Sequence, residues 1–419
     1  MSLRRGLRIA SACLGDRLAE ARIRDRAALE RRQVRLWAAL QPALAATPAL
    51  ASLAGRPLAD FPVREPSEVR ADLALWNSLG LGDAAIRAAA AAAEAGKVPS
   101  DQDVQAGFST GSAGARGVFL TRADERDRYI GTLLGRLIPP LRLLRPIRAA
   151  LILRANNGLY KDVGGAGAAF AFLGLDQPPE AHRAALTAFR PTHLIAPPQA
   201  LVAMARLDGF RAPAGLEAVF YGAEPLGDRE ARDLASIWGV VPRPLYQATE
   251  GFLGAPCQHG ALHLNERDLV VELEPVAGCG GRFRPIVTDL RRRSQPVVRI
   301  RLDDLITPAA PCSCGSPERA ILPVEGRIQD VWRFEAAVPM FPREVADALD
   351  AALPPLAAWT AQASARDVTL TVETAADAAP GRQALEALLT ARGVRVPVRT
   401  RTVERITTWP KRRRIGWTP

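Results

Sequence analysis

The chain of 419 residues contains no run of about 18 apolar residues, so the sequence predicts no membrane span. It has only five cysteines, and their number and placement do not suggest a disulfide scaffold. The start of the chain resembles a signal peptide, but Asp16 and Arg17 interrupt its apolar centre almost at once. We therefore expect a cytoplasmic protein.

Lysine is nearly absent and occurs only at Lys97, Lys161 and Lys411, whereas arginine is abundant. Aromatic residues make up 5% of the sequence, so a stacking platform for nucleic-acid bases is not evident. The net charge of +11 is spread along the chain, apart from short basic runs at 291–293 and 411–414. Because ATP and CoA are polyanions, attraction for such molecules explains the charge equally well. We expect no nucleic-acid partner.

A chain of this length is expected to form two or three domains. Apolar residues at helical spacing predict one long amphipathic helix over 14–46. Short apolar runs at 194–196 and 218–221 are each followed by a helical segment, which is typical of an α/β layer with parallel strands. After residue 262 strand-like segments separated by turns predict a mainly antiparallel subdomain.

Beyond residues 326–330 the order helix, strand, helix and strand predicts a compact α+β unit. The expected fold class is therefore α/β, with a large multi-layer N-terminal domain that includes a β-rich subdomain. A small, mobile α+β domain follows at the C-terminus. The predicted boundaries are 1–328 for the large domain and 329–419 for the small one.

The stretch from Pro244 to Glu266 contains candidate ligands for two different metal ions, Mg²⁺ and Zn²⁺. Thr249, Glu250 and Gly251 come together where a predicted strand breaks into a loop. A hydroxyl, a carboxylate and a glycine at the carboxyl end of a strand suit a site for Mg²⁺ and phosphate, because they offer hard oxygen ligands and close backbone approach.

Three further elements suit a nucleotide, although each has an ordinary structural alternative. The small-residue loop from Ser109 to Gly114 could wrap phosphates or be a flexible surface turn, and it is not a Walker A loop. Residues 221–225 follow a strand and precede a helix, as a nucleotide site or a plain βα turn would. Asp304 could accept both ribose hydroxyls or lie in a solvated turn, and Arg327 could form a salt bridge between domains.

In order and spacing these elements resemble the adenylate-forming superfamily, which includes acyl-CoA ligases, luciferases and peptide-synthetase adenylation domains. The glycine and hydroxyl loop, GAEPL, YQATEG, LDDL after a strand, GRIQD and a near-terminal lysine carry the resemblance. TDL, QPVVRIRLDDL, CSCG and GRIQD are similar to the phenylacetate–CoA ligase branch. RANNGLY, YQATEGFLG and LHLNE are similar to a group within it that is related to the synthetases adenylating the deazaflavin coenzyme. The resemblance covers about residues 100–415.

Two positions depart from the family pattern. Ala113 and Ala115 replace a hydroxyl residue and a lysine of the loop, and the adjacent Arg116 is a candidate to compensate for them. Near the end of the chain Pro410, instead of glycine, precedes Lys411.

The resemblance implies a role for each matched residue. The β- and γ-phosphates of ATP would be held by Ser109, Thr110, Gly111, Ser112 and Gly114. Adenine would be lined by Gly222, Ala223, Glu224 and Tyr246, while Asp304, aided by Arg327, would hold the ribose hydroxyls. Thr249 and Glu250 would bind phosphate and Mg²⁺, and Lys411 would bridge the carboxylate and the α-phosphate during adenylation.

The cysteines and histidines suggest a second metal. Cys257 and His263 lie near the magnesium stretch, and Cys312 and Cys314 are separated by one residue. Together they would form the Cys₃His set of a closed, structural Zn²⁺ site, with His259 as the competing ligand. The alternative is a group of buried, reduced thiols beside a solvent-facing histidine.

The resemblance implies that the chain activates a carboxylic acid with ATP as an acyl-AMP and releases pyrophosphate. The acyl group would then pass to a thiol, either of CoA or of the phosphopantetheine on an acyl carrier protein. An aromatic acid such as a hydroxybenzoate is the expected substrate, and a homodimer is compatible with the sequence. The alternatives are an adenylating ligase or nucleotidyltransferase with an amine or cofactor acceptor, and a non-catalytic, zinc-containing binding protein.

Overall fold

The computed structural model describes residues 3–97, 103–109, 116–153, 168–335, 337–406 and 413–418. The chain begins with α1 (Leu3–Arg22), α2 (Arg26–Ala45), α3 (Pro66–Ala71) and α4 (Asp83–Glu94). The single helix predicted over 14–46 is therefore wrong. The break falls at Asp25, whose carboxylate accepts a hydrogen bond of 2.7 Å from the Ala28 N–H and so caps the start of α2.

The next elements are β1 (Val104–Phe108), β2 (Val118–Arg122) and α5 (Ala123–Leu137). Strands β1 and β2 form an antiparallel pair on either side of the small-residue loop. Helix α5 packs closely against α1, since a Cβ atom on Gly131 would lie 2.5 Å from the Ile9 carbonyl oxygen. Arg5 and Arg8 also pair with Asp127, which fixes one face of α5 on α1.

A five-stranded parallel sheet forms the centre of the large part of the chain. Its strands are β3 (Ile147–Leu153), β4 (Ala168–Gly174), β5 (His193–Ala196), β6 (Ala218–Tyr221) and β7 (Arg243–Pro244), in the order β4-β3-β5-β6-β7. The intervening helices are α6 (Pro179–Phe189), α7 (Pro198–Ala205) and α8 (Asp228–Trp238). Leu194, Val219, Leu234 and Trp238 belong to the core between the sheet and these helices. This parallel layer confirms the predicted α/β class.

A β-rich region follows, as the sequence predicted. It contains β8 (Tyr246–Ala248), β9 (Gly251–Pro256), β10 (Leu262–Leu264), β11 (Leu269–Pro275), β12 (Phe283–Asp289), β13 (Ile300–Arg301), β14 (Asp304–Leu305), β15 (Ala320–Ile321) and β16 (Gly326–Arg327). All described pairs among these strands are antiparallel. They form sheets of order β15-β10-β9-β8, β11-β12-β13 and β14-β16.

The C-terminal elements are α9 (Pro342–Ala352), β17 (Trp359–Ser364), β18 (Val368–Val372), α10 (Ala375–Ala391), β19 (Val398–Thr402) and β20 (Ile415–Thr418). The four strands form one sheet in the order β19-β18-β17-β20. Trp332, Leu349, Trp359 and Leu370 belong to the hydrophobic core of this unit.

Ion pairs connect the C-terminal unit to the large part of the chain. Arg414 donates to Glu230 on α8 at 2.9 Å, and Arg206 donates to Glu373 at 2.6 Å. The Arg206–Glu373 pair is partly exposed and contributes little stability, at most about 1 kcal/mol, whereas the Arg414–Glu230 pair is nearly buried. Among the described helices, none has the length and apolar composition needed to cross a membrane.

Candidate active site

A cavity of about 710 Å³ lies among the parallel sheet, the β-rich region and the C-terminal unit. It brings together every predicted nucleotide-site residue within the described part of the chain. These residues are Ser109, Gly222, Ala223, Glu224, Tyr246, Thr249, Glu250, Asp304 and Arg327. The other predicted residues, Thr110, Gly111, Ser112, Gly114 and Lys411, lie outside the described residues.

The base of the small-residue loop is closed against Thr249. The Ser109 N–H donates to the Gly117 carbonyl at 2.8 Å, and the Gly117 N–H donates to Ser109 Oγ at 2.9 Å. A Cβ atom on Gly117 would lie 2.8 Å from Thr249 Oγ1, so only glycine fits between the loop and the threonine. Arg116 pairs with Glu94, and its guanidinium stacks over the Phe108 ring. Arg116 is not among the residues that line the cavity.

The turn after β6 is shaped by close contact and by an unusual backbone angle. A Cβ atom on Gly222 would lie 3.3 Å from the Leu245 carbonyl oxygen. Ala223 adopts a φ of +70°, a left-handed conformation that is unfavourable for a residue with a side chain. The Glu224 carboxylate accepts a hydrogen bond from the Gln199 N–H. Such backbone strain is commonly stored at functional sites.

Tyr246, Asp304 and Arg327 form one connected group on the cavity wall. The Tyr246 hydroxyl donates to Asp304 Oδ2 at 2.9 Å, and burial raises the pKa of this phenol well above its usual range. Asp304 lies opposite Arg327 in the β14–β16 pair, with the Arg327 Nε 3.9 Å from Asp304 Oδ1. This arrangement holds a carboxylate ready to accept hydrogen bonds from a ligand in the cavity.

Thr249 and Glu250 lie at the turn between β8 and β9. Burial raises the pKa of the Glu250 carboxyl. A cation bound to the carboxylate would offset the cost of burying its negative charge. The Arg292 guanidinium donates to the Thr249 carbonyl oxygen at 2.6 Å. Gly251 closes the turn with a φ of +154°, and the Asp289 Oδ2 atom would lie 3.2 Å from a Cβ atom at this position.

Three residues of this site were missed by reasoning from the sequence. Gly117 ends a glycine-rich segment, and its contact with Thr249, which is distant in the sequence, leaves no local sequence pattern. Arg292 belongs to a basic run that looks like a charged surface, yet it lines the cavity and holds the turn at Thr249. Asp289 ends β12 in the TDL motif, and a carboxylate at a strand end is the signal that could have identified it.

The cavity has an apolar part between α5 and the parallel sheet. Tyr129, Leu133 and Leu137 are spaced four positions apart and therefore lie along one face of α5. They pack near Phe220 and Leu245, and all five side chains line the cavity. A cavity with an apolar wall next to a polar one can accommodate a molecule with an apolar body and a charged end.

Cys257, His263, Cys312 and Cys314 lie together, with one potential ligand atom from each within 4.8 Å of the others. The Sγ atoms of Cys257 and Cys312 are 3.7 Å apart, and Cys314 Sγ is 3.5 Å from His263 Nε2. A disulfide needs a separation of about 2.05 Å. By contrast, two sulfurs bound tetrahedrally to zinc at about 2.3 Å lie about 3.8 Å apart, which fits the observed spacing.

The surroundings of the cluster also fit zinc. His263 Nδ1 is 2.8 Å from the Glu318 carbonyl oxygen, which fixes the ring and leaves Nε2 directed at the thiols. The backbone N–H of Cys314 lowers the pKa of the Cys312 thiol to about 6, which favours the thiolate that a metal requires. His259 is exposed and lies outside the cluster, so the histidine in the group is His263.

No protein-family model and no curated protein matches the chain. Solved structures do match it. One is 2-hydroxyisobutyryl-CoA ligase in the postadenylation state with 2-HIB-AMP, with a TM-score of 0.65 at 18% identity over 92% of this chain and 88% of that chain. The same protein in the thioesterification state with CoA gives a TM-score of 0.51 at 19% identity over 93% and 89%.

Two further structures show the same likeness. The anthranilate CoA ligase AuaEII with anthranoyl-AMP has a TM-score of 0.54 at 13% identity, over 73% of this chain and 63% of that chain. The amide bond synthetase McbA from Marinactinospora thermotolerans has a TM-score of 0.51 at 18% identity, over 74% and 67%. At these identities the comparison shows the fold. The chain has the fold of the adenylate-forming ligases, as the motifs predicted.

Proposed function

We propose that this protein uses ATP to activate a carboxylic acid as an acyl-AMP and then transfers the acyl group to a thiol. The observation that carries the proposal is a cavity of about 710 Å³, whose polar part contains the residues expected to bind ATP and whose other part is apolar. The solved structures of this fold include CoA ligases bound to acyl-AMP molecules. We also infer that the chain belongs to the phenylacetate–CoA ligase-like branch, on the motifs TDL, CSCG and GRIQD.

The polar part of the cavity is assigned to ATP. Asp304, held by Tyr246 and accompanied by Arg327, accepts hydrogen bonds from the ribose hydroxyls. The turn at Gly222 and Ala223, which lines the cavity, is assigned to adenine. The loop that starts at Ser109 contacts the β- and γ-phosphates, and Thr110, Gly111, Ser112 and Gly114 are assigned to the same role by sequence.

In the first half-reaction a carboxylate oxygen attacks the α-phosphorus, and the bond from that phosphorus to the pyrophosphate oxygen breaks. Two anionic groups approach each other, so cationic charge placed near the α-phosphate is the main catalytic demand. Glu250 would hold Mg²⁺, which neutralises phosphate charge when bound. Thr249 binds phosphate through its hydroxyl, and Lys411 is assigned to bridge the carboxylate and the α-phosphate.

The apolar part of the cavity is assigned to the acid, and we propose that the acid is aromatic. Tyr129, Phe220 and Leu245 provide flat and branched apolar surfaces suited to a ring. The thiol acceptor is CoA or the phosphopantetheine of an acyl carrier protein. In this proposal residues 329–419 form a cap that rotates on the domain 1–328 between the two half-reactions.

Zinc is assigned a structural role at Cys257, His263, Cys312 and Cys314. All four positions of a tetrahedral ion would be filled by protein, so the ion would not activate water. It would connect the segment after Glu250 to the segment after Asp304, and so fix the distance between two sides of the nucleotide site.

A second candidate function is adenylation followed by transfer to an amine. The specific observation in its favour is the likeness to an amide bond synthetase, which shares the fold at an identity comparable to that of the CoA ligases. The two candidates differ in the acceptor alone, so the same adenylation chemistry serves both.

A pyrophosphate-release screen over aryl and alkyl acids tests the proposal. We expect ATP- and acid-dependent release, with AMP formation that is stimulated by CoA or by a phosphopantetheinylated carrier protein. Stimulation by amines alone would favour the second candidate. Absence of release with every acid, together with salt-sensitive binding to nucleic acid, would instead indicate a binding protein.

A further inference from the structure

The apolar part of the cavity contains one histidine, and this residue is not used by the proposed chemistry. His193 is the first residue of β5, and it shares a face of the strand with Ile195 because alternate residues point to the same side. Both line the cavity. The register places His193 between Ala149 on β3 and Ala218 on β6, two small residues that leave room beside the ring.

His193 lies at the amino end of its strand, opposite the nucleotide. Ala196, the last residue of β5, lines the cavity near the turn at Gly222. His193 is three positions before Ala196, so it lies about 10 Å along the strand from the edge where the acid's carboxylate would react. A group that meets His193 is therefore at the far end of the acid from its carboxylate.

The two nitrogens of the His193 ring differ in their hydrogen bonding. His193 Nδ1 is 2.9 Å from Thr192 Oγ1, and the Arg148 N–H donates to the same oxygen at 3.0 Å. His193 Nε2 has no hydrogen-bond partner among the residues that the structure describes. Only 4% of the residue is exposed, so the ring is nearly buried where it lines the mainly apolar part of the cavity.

Burial lowers the pKa of His193, which keeps the imidazole uncharged at neutral pH. The charged groups nearest to it, Glu217 and Arg142, are paired with each other and leave no net charge beside the ring. Among the described residues the cation that acts on His193 is Arg142, which is already paired, so a second carboxylate on the substrate would gain no unpaired cation from it. An uncharged ring with one free nitrogen calls for an uncharged hydrogen-bonding group instead.

We propose that His193 recognises a hydroxyl group at the end of the acid remote from its carboxylate. A hydroxyl can donate to Nε2 or accept from it, so it pairs with either tautomer of the ring. The substrate class is then an acid with an apolar, ring-containing body and a terminal hydroxyl. This inference rests on the proposed acid-activating function and adds a specificity-determining residue to it.

Matched acids that differ only in the hydroxyl test the inference, for example 4-hydroxycinnamate against cinnamate and 4-hydroxyphenylacetate against phenylacetate. For the wild-type protein we expect kcat/KM to be about ten- to a hundredfold higher for the hydroxylated member, because without it a buried nitrogen is left unpaired. In His193→Phe this preference should disappear, while kcat/KM for the unhydroxylated acid stays near the wild-type value or rises. In His193→Gln, which keeps a hydrogen-bonding group, part of the preference should return.

Calorimetric binding of the same acid pairs to the full chain gives a readout that does not depend on turnover. A hydroxyl preference in binding that His193→Phe removes supports the inference even if no pyrophosphate is released, in which case the proposed function alone fails. Equal kcat/KM and equal affinity for both members of every pair overturn the inference while leaving the function intact. The exposed His259→Phe variant is the control and should keep the wild-type preference. If His193→Phe does not fold, the graded loss expected in His193→Gln decides the question.

Discussion

The hydroxyl of Tyr246 donates to Asp304 Oδ2 at 2.9 Å from a buried position on the cavity wall. The two residues are 58 positions apart, and two separate strands bring them together. With Tyr246 engaged at one oxygen and Arg327 near the other, the Asp304 carboxylate has a fixed orientation towards the cavity. This preorganisation is what a ribose-binding carboxylate needs.

We expect Tyr246→Phe to raise the KM for ATP about tenfold, with a smaller effect on the KM for the acid. A hydrogen bond to a charged group contributes roughly 1.5–3 kcal/mol, and its loss frees the carboxylate to rotate. Steady-state pyrophosphate release with each substrate varied in turn measures the effect. The melting temperature should change little, and an unchanged KM for ATP would show that this pair does not serve the nucleotide.

Glu250→Gln should abolish acid-dependent pyrophosphate release and leave the fold intact. The amide keeps the size of the side chain but removes the negative charge that would hold Mg²⁺. Turnover at saturating and at limiting Mg²⁺, with circular dichroism as the folding control, measures both parts of the expectation. Wild-type turnover in the variant at limiting Mg²⁺ would remove Glu250 from the metal site.

Part of the candidate site could be predicted from the sequence. Thr249, Glu250 and Asp304 follow predicted strands, and the end of a strand can be recognised from the local sequence. The Cys and His cluster was predicted from spacing, and the structure places the four side chains together. Gly117, Arg292 and His193 could not be found in this way, because their importance depends on contacts with Thr249 or with the cavity.

The N-terminal helices show a different limit. The apolar pattern over 14–46 runs through two helices, α1 and α2, and periodicity alone does not reveal the cap at Asp25. The N-terminal hundred residues gave no motif, yet α1 supports α5, and α5 lines the cavity on its other side. Their contribution is a packing relationship, which a sequence pattern does not report.

The stability of the protein should depend on pH through Asp289. Burial raises the pKa of this carboxyl to about 6, above its value of roughly 3.9 in an unfolded chain. Protonation therefore favours the folded state: the stabilisation is fully present below about pH 4 and is lost as the pH rises through about 6. Asp289→Asn cannot lose a proton and keeps the oxygen that accepts from the Arg291 and Arg292 N–H groups.

We accordingly expect the free energy of unfolding of Asp289→Asn, relative to wild type, to increase by up to about 3 kcal/mol between pH 4 and pH 7. Urea unfolding at the two pH values measures this change. The exposed Asp60→Asn variant serves as the control and should follow the wild type at both. A difference between variant and wild type that is the same at both pH values would contradict the assignment.

Metal analysis of the purified protein should find about one zinc per chain. Cys312→Ser should lower the zinc content and the melting temperature, because the ion would link two segments that flank the nucleotide site. The buried Cys279 lies outside the cluster, so Cys279→Ala should retain the zinc. Chelator-washed wild type without zinc, combined with unchanged melting of Cys312→Ser, would dismiss the site.

Lys411 is the residue whose replacement should separate the two half-reactions. It lies outside the described residues, but Arg413 and Arg414, two and three positions later, line the cavity. Arg414 also donates to Glu230 of the large part of the chain at 2.9 Å, which holds the segment beside the nucleotide site. The position of Arg413 and Arg414 on the cavity wall supports the proposed role of Lys411 in adenylation.

Lys411→Ala should therefore reduce adenylation on the order of a hundredfold or more, because it removes a cation from the transition state of phosphoryl attack. Thiolation of a supplied acyl-AMP should remain near the wild-type rate, since in the proposed function the cap would turn this segment away before the second step. Pyrophosphate release measures the first half-reaction, and thioester formation from synthetic acyl-AMP measures the second. Lys97→Ala, an exposed lysine on the surface, is the matched control and should affect neither. Equal losses in both half-reactions would mean that Lys411 supports the fold of the cap and takes no part in adenylation.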